Sequence, residues 1–310
     1  TLQGIGYNID GRISSSLTKT EISQFTEFSI KDDSGHQLTP ISAVCCKLGT
    51  FYLFAKSNSP SRQLAYCYMN GEKPVFIDIG NYEPVALFGG CDHAASITSE
   101  GDIIFINNSS VKKSHESSFT AIHLPDGEKA YSVGCCVSSV IALSVNGRVF
   151  SSPIRKGSSA LKFIVVEELK DEKIVCVSGT HSHFLAVSQE GHVFGRGSNE
   201  NGQLGLNKEI KSVQTFTKIL SLEEYKIKAA YAGYSHSLFE TQEGQILSCG
   251  SNESGQLLLS TGPGENVYSP TETTITSGAT FCIAGNETSA VFIGIDPPQN
   301  MPNRRIQPHQ

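Results

Sequence analysis

Two stretches of this chain, residues 178–206 and 232–257, carry the same short motifs in the same order. Each begins with an apolar segment, passes through a Ser/His pair to the turn Gln-Glu-Gly, and closes with Gly-Ser-Asn-x-x-Gly-Gln-Leu. Glycine supplies the positive φ of tight turns, and an Asn side chain can bond its own backbone there. Two such copies in one chain indicate a repeat protein, so every other segment is compared with this pattern first.

The rest of the chain keeps the internal spacing of these two copies. A glycine follows the repeat histidine after the same interval in three places, which pairs His93 with Gly101, His183 with Gly191 and His236 with Gly244. The equivalent positions along the whole chain lie 44 to 53 residues apart and are Gly49, His93, Ser139, His183, His236 and Thr288. The sequence therefore predicts one structural unit about every fifty residues. The repeat histidines are expected to pack between strands and to bond the backbone.

The two ends of the chain complete each other. Residues 279–295 match only the first half of a unit, whereas the first residues match the second half. The matching set at the N-terminal end is Gly6, Asn8 and Gly11, which corresponds to Gly197, Asn199 and Gly202 in one regular copy and to Gly250, Asn252 and Gly255 in the other. A ring closed by pairing the two ends leaves no sheet edge exposed.

These observations predict an all-β fold, a single β-propeller of about six four-stranded blades, with seven as the alternative. The predicted blades span about 41–81, 82–130, 131–173, 174–226 and 227–278, and the sixth combines 279–295 with 1–40. Residues 296–310 have no periodicity and several prolines, so they are interpreted as an extended tail or linker. The ring is expected to be monomeric.

The repeated runs resemble the repeat of the regulator of chromosome condensation family. The resemblance is specific from residue 174 to about 278 and in residues 4–13, and it is faint from 41 to 173. The sequence departs from the family's pattern in two ways. The family usually has seven blades, and its usual aromatic residue before the third-strand glycine is replaced by Ile5, Arg196 and Cys249.

The resemblance implies one of two functions. Many members of the family work as protein-interaction modules, so a protein-binding scaffold is the first hypothesis. The alternative is a guanine-nucleotide exchange factor for a Ran-like small GTPase, which by resemblance would insert a β-wedge and acidic loop residues. Here the matching turns contain no inserted wedge, and only Glu200 and Glu253 could stand in for the acidic residues. Chromatin binding fits less well, because the basic tail it needs is reduced to Arg304 and Arg305.

No catalytic, metal or cofactor site is predicted. The nine cysteines form no C-x-x-C pair and fall on or beside predicted strands, which favours reduced structural thiols in a cytoplasmic or nuclear protein. His181 and His183 would point the same way on a strand and could hold a metal, but no third ligand is in register. There is neither a G-x-S-x-G elbow nor a phosphate-binding loop at the start of a helix.

Charge and hydropathy argue against nucleic acid and membrane as partners, so the expected partner is a protein. The net charge of -6 argues against a nucleic-acid footprint, and no stretch approaches the twenty or so apolar residues that a membrane span needs. Partner binding is predicted to use loops of the degenerate half of the chain, where Lys112, Lys113 and His115 form a small basic patch. The long connections 207–214 and 260–268 are expected to contribute to the same function.

Overall fold

The computed structural model describes residues 2–7, 21–28, 38–45, 51–58, 61–68, 75–78, 82, 84–89, 93–107, 121–155, 160–285 and 287–294. Up to residue 78 the description is of backbone strands. The chain divides into two compact units, one made of Thr1–His123 and Arg155–Ala160, the other of Leu124–Ile154 and Leu161–Gln310. Each is built from antiparallel strands paired in chain order.

The described residues of the first unit form three sheets. One has two strands, β1 (Leu2–Tyr7) and β2 (Glu21–Phe28). A four-stranded sheet follows, made of β3 (Leu38–Cys45), β4 (Phe51–Asn58), β5 (Ser61–Tyr68) and β6 (Val75–Asp78). The third sheet consists of β7 (Pro84–Gly89), β8 (His93–Thr98) and β9 (Ile103–Asn107).

In the part of the second unit that the structure describes, there are three four-stranded sheets and one strand pair. The sheets are β10 (Ala130–Cys135), β11 (Ser139–Ser144), β12 (Val149–Pro153) and β13 (Ile164–Val165); β14 (Ile174–Gly179), β15 (His183–Ser188), β16 (Val193–Ser198) and β17 (Ser212–Lys218); and β18 (Ile227–Ala232), β19 (His236–Thr241), β20 (Ile246–Gly250) and β21 (Val267–Glu272). The pair is β22 (Ala279–Ala284) and β23 (Ser289–Ile293). Single turns of 3-10 helix occur at Pro125–Gly127, Glu167–Leu169 and Leu220–Leu222.

A β-bulge marks the first strand of each repeat. The register shifts after the first paired residue or residues of β3, β7, β10, β14, β18 and β22, each time leaving one residue without a ladder partner. A bulge of this kind bends the strand and increases its twist. Because the same irregularity recurs at the same place, these six strands are equivalent, and the unpaired residues are Ile41, Val85, Tyr131, Val175, Lys228 and Thr280.

A second bulge identifies the strand pair at the N-terminal end. Where β16 meets β17, the register shifts between Gly195 and Gly197, and where β20 meets β21 it shifts between Ser248 and Gly250. The pair β1–β2 has this shift between Gly4 and Gly6. The pair β1–β2 therefore repeats the pairing of a third strand with a fourth strand, whereas β22–β23 repeats the pairing of a first with a second.

The sequence pattern predicts fourth strands at 119–123 and 163–168. Of the first, the structure describes only residues 121–123, where Ile122 forms an isolated bridge with Ile103. In place of a strand at 163–168, only Ile164–Val165 pairs with β12, and a 3-10 turn follows. The reason is that Val166 and Leu169 are both buried at a spacing of three, which a 3-10 turn brings to one side and a strand does not.

The core of the second unit lies between neighbouring sheets. Apolar side chains of β14–β16 pack against those of β18–β20, with Leu185, Leu238 and Phe239 fully buried, and a similar cluster joins β10–β12 to β14–β16. Among the described residues, no helix is long and apolar enough to cross a membrane.

One ion pair lies within the sheet β18–β21, on the side that faces β22. The carboxylate of Glu240 on β19 is completely buried; it accepts hydrogen bonds from Lys228 Nζ and, at 2.7 Å, from the Tyr231 hydroxyl. Burial raises the pKa of Glu240 and that of Tyr231. The equivalent positions on β14 and β15 hold Val175 and Val187 in place of the lysine and the glutamate.

The complementary half-sheets predict how the ring closes. The register of β15 with β16 and of β19 with β20 places the repeat histidine opposite the motif glycine, as His183 opposite Gly197 and His236 opposite Gly250. Applied to β23 and β1, the same rule places Thr288 opposite Gly6. This pairing, the closure of the ring and the number of blades remain predictions.

Deletion of residues 1–13 tests the closure. We expect the truncated chain to melt at a markedly lower temperature and to aggregate, because β23 would then present an unpaired edge. The measurement is thermal unfolding together with size-exclusion chromatography. Deletion of residues 296–310 is the matched control and should leave the melting temperature unchanged; an N-terminal truncation that melts like the full chain would show that β1 does not close the ring.

Replacement of Lys228 tests the buried ion pair. Lys228→Val leaves the Glu240 carboxylate buried without its cation, so we expect the free energy of unfolding to fall by about 3 kcal/mol. Since the pKa of Glu240 is raised in the folded protein, the destabilisation should grow as the pH rises and the carboxyl group is forced to ionise. Urea unfolding at acidic and at alkaline pH measures both effects.

The control for this experiment copies the neighbouring seam. The triple variant Lys228→Val, Tyr231→Phe and Glu240→Val restores an apolar contact, and its stability should return to near that of the wild type. A triple variant as unstable as Lys228→Val alone would mean that the loss comes from packing and not from the uncompensated charge.

Candidate functional site

The asparagine of each regular motif shapes the connection that follows the third strand. Asn199 is fully buried; its Oδ1 accepts the Leu204 amide at 3.0 Å, and its Nδ2 donates to the carbonyls of Leu206, Asn207 and Ile210 at 2.8 to 3.3 Å. Asn252 repeats this arrangement with the Leu257 amide and the Gly262 carbonyl. The polar groups of these side chains are hydrogen-bonded to the backbone. They therefore fix the conformation of the connection and are not available to a ligand.

Seven of the predicted turn glycines adopt the left-handed backbone conformation. Positive φ values occur at Gly101, Gly191, Gly197, Gly202, Gly244, Gly250 and Gly255. Gly202 also lets two repeats approach, because a Cβ there would lie 2.5 Å from the Val267 carbonyl oxygen at the start of β21. The turn after one third strand is thus held directly against the fourth strand of the next sheet.

The repeat histidines join neighbouring sheets through a serine. The Ser237 hydroxyl donates to the Gln203 carbonyl at 2.6 Å, so it accepts the hydrogen bond from His183 Nε2 at 2.9 Å. One repeat later, Ser289 donates to the carbonyl of the motif glutamine at 2.7 Å and lies 2.9 Å from His236 Nε2. The expectation that these histidines bond the backbone directly was wrong, because a hydroxyl stands between ring and carbonyl.

Burial keeps both of these rings neutral. His183 and His236 have no exposed surface, and burial lowers the pKa of His183 to about 3 and that of His236 to about 4. Within the described residues, Nδ1 of each ring has no hydrogen-bond partner. A neutral ring with its proton on Nε2 satisfies the serine, and protonation would bury an uncompensated charge.

A rim of backbone contacts joins the loops between first and second strands. The Val137 amide donates to the His181 carbonyl at 2.9 Å, and the Tyr234 amide donates to the Gly285 carbonyl at 3.0 Å. The His181 ring stacks on Tyr234 with the centroids 3.8 Å apart. His181 lies before β15 begins, so it does not share a strand face with the buried His183, and the two do not form the metal pair considered from the sequence.

The two long connections meet at the same end of the sheets as this rim. In an antiparallel meander, the loops after the first and third strands lie at the same end of the sheet. Two hydrogen bonds join these loops here, from the Ser198 amide to the Ser182 carbonyl and from the Ser251 amide to the Ser235 carbonyl. We call the long-loop surface the exposed face formed where 199–211 and 252–268 touch. Its contacts are the 3.0 Å bond from Asn266 Nδ2 to Asn201 Oδ1 and the 2.9 Å bond from the Tyr268 hydroxyl to the Glu200 carbonyl.

The sequence-based candidates are only partly placed by the structure. Glu200 and Glu253 are exposed in the turns of the two motifs, and Glu200 borders the long-loop surface through its carbonyl. Lys112, Lys113, His115, Asn8 and Gly11 lie outside the described residues. His93 is buried beside the Phe105 ring, with the centroids 5.3 Å apart.

Three residues of the long-loop surface were not found from the sequence, namely Asn201, Asn266 and Tyr268. The length of their connections was the only signal. These residues come together because the turn at Gly202 packs against the neighbouring sheet. A local sequence pattern does not predict that packing.

Five cysteines of the second unit are buried and form no disulfide. They are Cys135, Cys136, Cys176, Cys249 and Cys282. Burial raises the pKa of Cys135 to about 12 and also raises the pKa of Cys249 and of Cys282, so these thiols stay protonated at neutral pH. No group of three or more His, Cys, Asp or Glu side chains in the described ranges could hold a metal ion.

Comparison with known proteins identifies the repeat. Residues 190–239 and 227–256 match models of the regulator of chromosome condensation (RCC1) repeat. The probable E3 ubiquitin-protein ligase HERC6 of Homo sapiens is 37% identical over 144 residues, which are 44% of this chain and 14% of that protein. The secretion-regulating guanine nucleotide exchange factor of Bos taurus is 39% identical over 87 residues, 28% of this chain and 18% of that protein. The chain thus spans under a fifth of either relative.

Solved structures agree on the fold. Human WBSCR16 superposes with a TM-score of 0.72 at 14% identity, covering 94% of this chain and 82% of that one. Prp20p from Saccharomyces cerevisiae superposes with a TM-score of 0.60 at 16% identity, covering 77% of this chain and 66% of that one. The fold is therefore a β-propeller. Within this chain, residues 190–256 carry regulator of chromosome condensation repeats.

Substitution of His183 tests the neutral ring in the seam. In the unfolded chain a histidine takes up its proton near pH 6.5, whereas the folded His183 does so only at about 3, so its burial stabilises the fold above pH 6.5 and loses that contribution as the pH falls. The loss is about 1.4 kcal/mol per pH unit in that window. His183→Gln should lower the free energy of unfolding at neutral pH by about 1–3 kcal/mol. It should also remove the pH dependence that His183 contributes below pH 6.5, about 1.4 kcal/mol per pH unit.

Ser237→Ala is the control that separates hydrogen bonding from titration. It removes the acceptor of His183 but leaves the buried ring, so stability should fall while the steep acid slope remains. Urea unfolding at several pH values between about 4 and 7 measures both. An unchanged slope in His183→Gln would mean that this histidine is not buried in its neutral form.

Proposed function

We propose that this chain is a protein-binding scaffold whose binding face includes the long-loop surface and the adjoining rim. The single observation that supports this most directly is the locking of two long connections by the Asn266–Asn201 and Tyr268–Glu200 bonds. Long connections usually move independently, and ordering them on binding costs free energy. Here the folded protein has already ordered them, which favours a surface used for recognition.

The chemistry of the surrounding residues supports a scaffold over an enzyme. The polar groups of both motifs are occupied by backbone partners, His183 and His236 are buried and neutral, and the buried thiols of Cys135, Cys249 and Cys282 are protonated. What remains available at this end is a broad set of exposed loop side chains on a rigid frame, which is how propellers present binding sites. The molecule is proposed to act as a monomeric ring in the cytoplasm or nucleus, without nucleic acid, cofactor or membrane.

Guanine-nucleotide exchange on a Ran-like GTPase is the second candidate. It is favoured by the similarity to the secretion-regulating guanine nucleotide exchange factor and by the fold shared with Prp20p, whose structure was described together with its binding to Gsp1p and histones. Glu200 and Glu253 would be the acidic loop residues of such a site. Asn199 and Asn252 each bond the backbone of the connection that follows their own motif. Between β16 and β17, and between β20 and β21, no additional strand that could form a wedge is inserted.

A quantitative pull-down from cell extract tests both functions. The bait is the chain itself, compared with a surface variant that carries Ile210→Arg and Tyr268→Ala. We expect specific partners to be recovered by the wild type and reduced roughly fivefold or more by the surface variant, since truncating a central contact residue commonly costs at least 1 kcal/mol. Proteins are measured by mass spectrometry, in extract with GTP and magnesium and in extract treated with a chelator.

The matched control changes the same residue types at the opposite end of the sheets. Leu220→Arg and Tyr225→Ala alter an exposed leucine and a tyrosine whose hydroxyl bonds a carboxylate, and this variant should retain the partners. A Ran-like GTPase recovered only after chelation and lost in the surface variant would favour exchange activity. If all captured proteins bind wild type and surface variant equally, the scaffold proposal is wrong.

A further inference from the structure

The long-loop surface contains an unusual arrangement of two lysines and one tyrosine. Lys208 and Lys211 come from the connection after β16, and their ammonium groups lie 5.7 and 6.0 Å from the centroid of the Tyr268 ring, which belongs to the next sheet. Ile210 lies between the two lysines in the sequence and is 40% exposed. We call these four residues the lysine–tyrosine cluster.

The two ammonium groups of the cluster have no anionic partner among the described residues. The ion pairs of this part of the chain involve other lysines, and neither Lys208 nor Lys211 lies within 4.0 Å of a carboxylate there. The exposed acidic residues of the two connections are Glu200, Glu209, Glu253 and Glu265. Both positive charges lie near the same ring, so one anion can be attracted by both of them.

The backbone below the cluster is fixed before any partner arrives. The Ile210 carbonyl accepts from Asn199 Nδ2 at 2.8 Å, and the Lys211 carbonyl accepts from the Asn199 amide at 2.7 Å. The Tyr268 hydroxyl is held by the Glu200 carbonyl at 2.9 Å. Because the ring and both lysine stems start from anchored positions, binding an anion there orders little more than the two flexible ends.

We propose that the lysine–tyrosine cluster binds an acidic segment of a protein partner, with a carboxylate placed between Lys208 and Lys211 and an apolar side chain covering Ile210. This rests on the proposed scaffold function and specifies the chemistry of the partner at that surface. The pair of cations selects an anion, and the exposed isoleucine between them selects a neighbouring apolar group. A protein segment can supply both in adjacent residues.

The surroundings disfavour a nucleic acid as the occupant. A phosphate backbone needs a row of basic side chains, whereas Glu200, Glu209 and Glu265 are distributed through the same connections and the whole chain carries a net charge of -6. A short acidic peptide can place one carboxylate in the cluster and keep the remainder away from these glutamates. Glu209, which adjoins Lys208, should therefore weaken binding slightly.

Fluorescence anisotropy with defined probes tests the proposal. The probes are a labelled peptide in which glutamates alternate with leucines, the same peptide with glutamine in place of glutamate, and a labelled oligothymidylate. We expect the acidic peptide to bind most tightly at low ionic strength, and the charge reversal Lys208→Glu with Lys211→Glu to weaken it roughly tenfold or more. Tyr268→Ala should weaken it a few-fold, and Glu209→Gln should strengthen it about twofold.

The control is a second pair of exposed lysines with the same spacing. Lys170→Glu with Lys173→Glu makes the same change in net charge at the opposite end of the sheets and should leave the affinity unchanged apart from a small long-range effect. Equal affinity of the acidic and neutral peptides, or equal weakening by both charge reversals, would overturn the proposal. Preferential binding of the oligothymidylate would also overturn it, in favour of a nucleic acid. A failure here that leaves the pull-down partners dependent on Ile210 and Tyr268 would reject only the acidic chemistry and not the scaffold.

Discussion

A hydrogen-bond chain across two neighbouring seams between sheets is the interaction on which the regular part of this propeller depends. The histidine at the start of one second strand bonds the serine at the start of the next, and that serine bonds the carbonyl of the motif glutamine, as in His183, Ser237 and Gln203. Because His236 directly precedes Ser237, one His-Ser dipeptide serves two seams, one on each side of its strand. These hydrogen-bonding groups are buried, so each donor needs an acceptor within the protein.

This seam explains why the motif residues do not form a binding site. Gln203 offers its carbonyl to the seam, while its side-chain oxygen accepts the Asn201 amide at 2.9 Å. Asn199 is fully used by the connection that follows. The most recognisable part of the sequence therefore holds the sheets together and folds the loops over them.

The seams are alike in geometry and different in chemistry. Between the third and fourth predicted blades the seam is apolar, with Leu143 and Val177 buried together, whereas the contact beyond β19 includes the fully buried Glu240. A buried ion pair commonly contributes less to stability than apolar packing of similar volume, because both charges lose their hydration. It nevertheless requires a defined geometry between the two charged groups. The interaction between Lys228, Glu240 and Tyr231 thus distinguishes one seam from the others without altering the strand order.

The sequence by itself determined the repeat, the strand order and the role of the turn residues. Regular spacing from His93 to His236 and the glycines with positive φ follow from local rules, because a tight turn needs the same residue types wherever it occurs. Local pattern failed where the chain departs from an ideal strand, as at Val166 and Leu169, and where a hydroxyl replaced the expected backbone partner of a histidine.

Only the tertiary structure decided which side chains meet. Tyr268 and Lys211 come from different sheets, and Lys228 and Glu240 from neighbouring strands; nothing in either short segment indicates its partner. These contacts depend on how one sheet packs over the next, which is a property of the whole seam and not of any single repeat. The physical reason is that turn chemistry acts over a few residues, whereas the surface at the end of a propeller is assembled from loops some fifty residues apart.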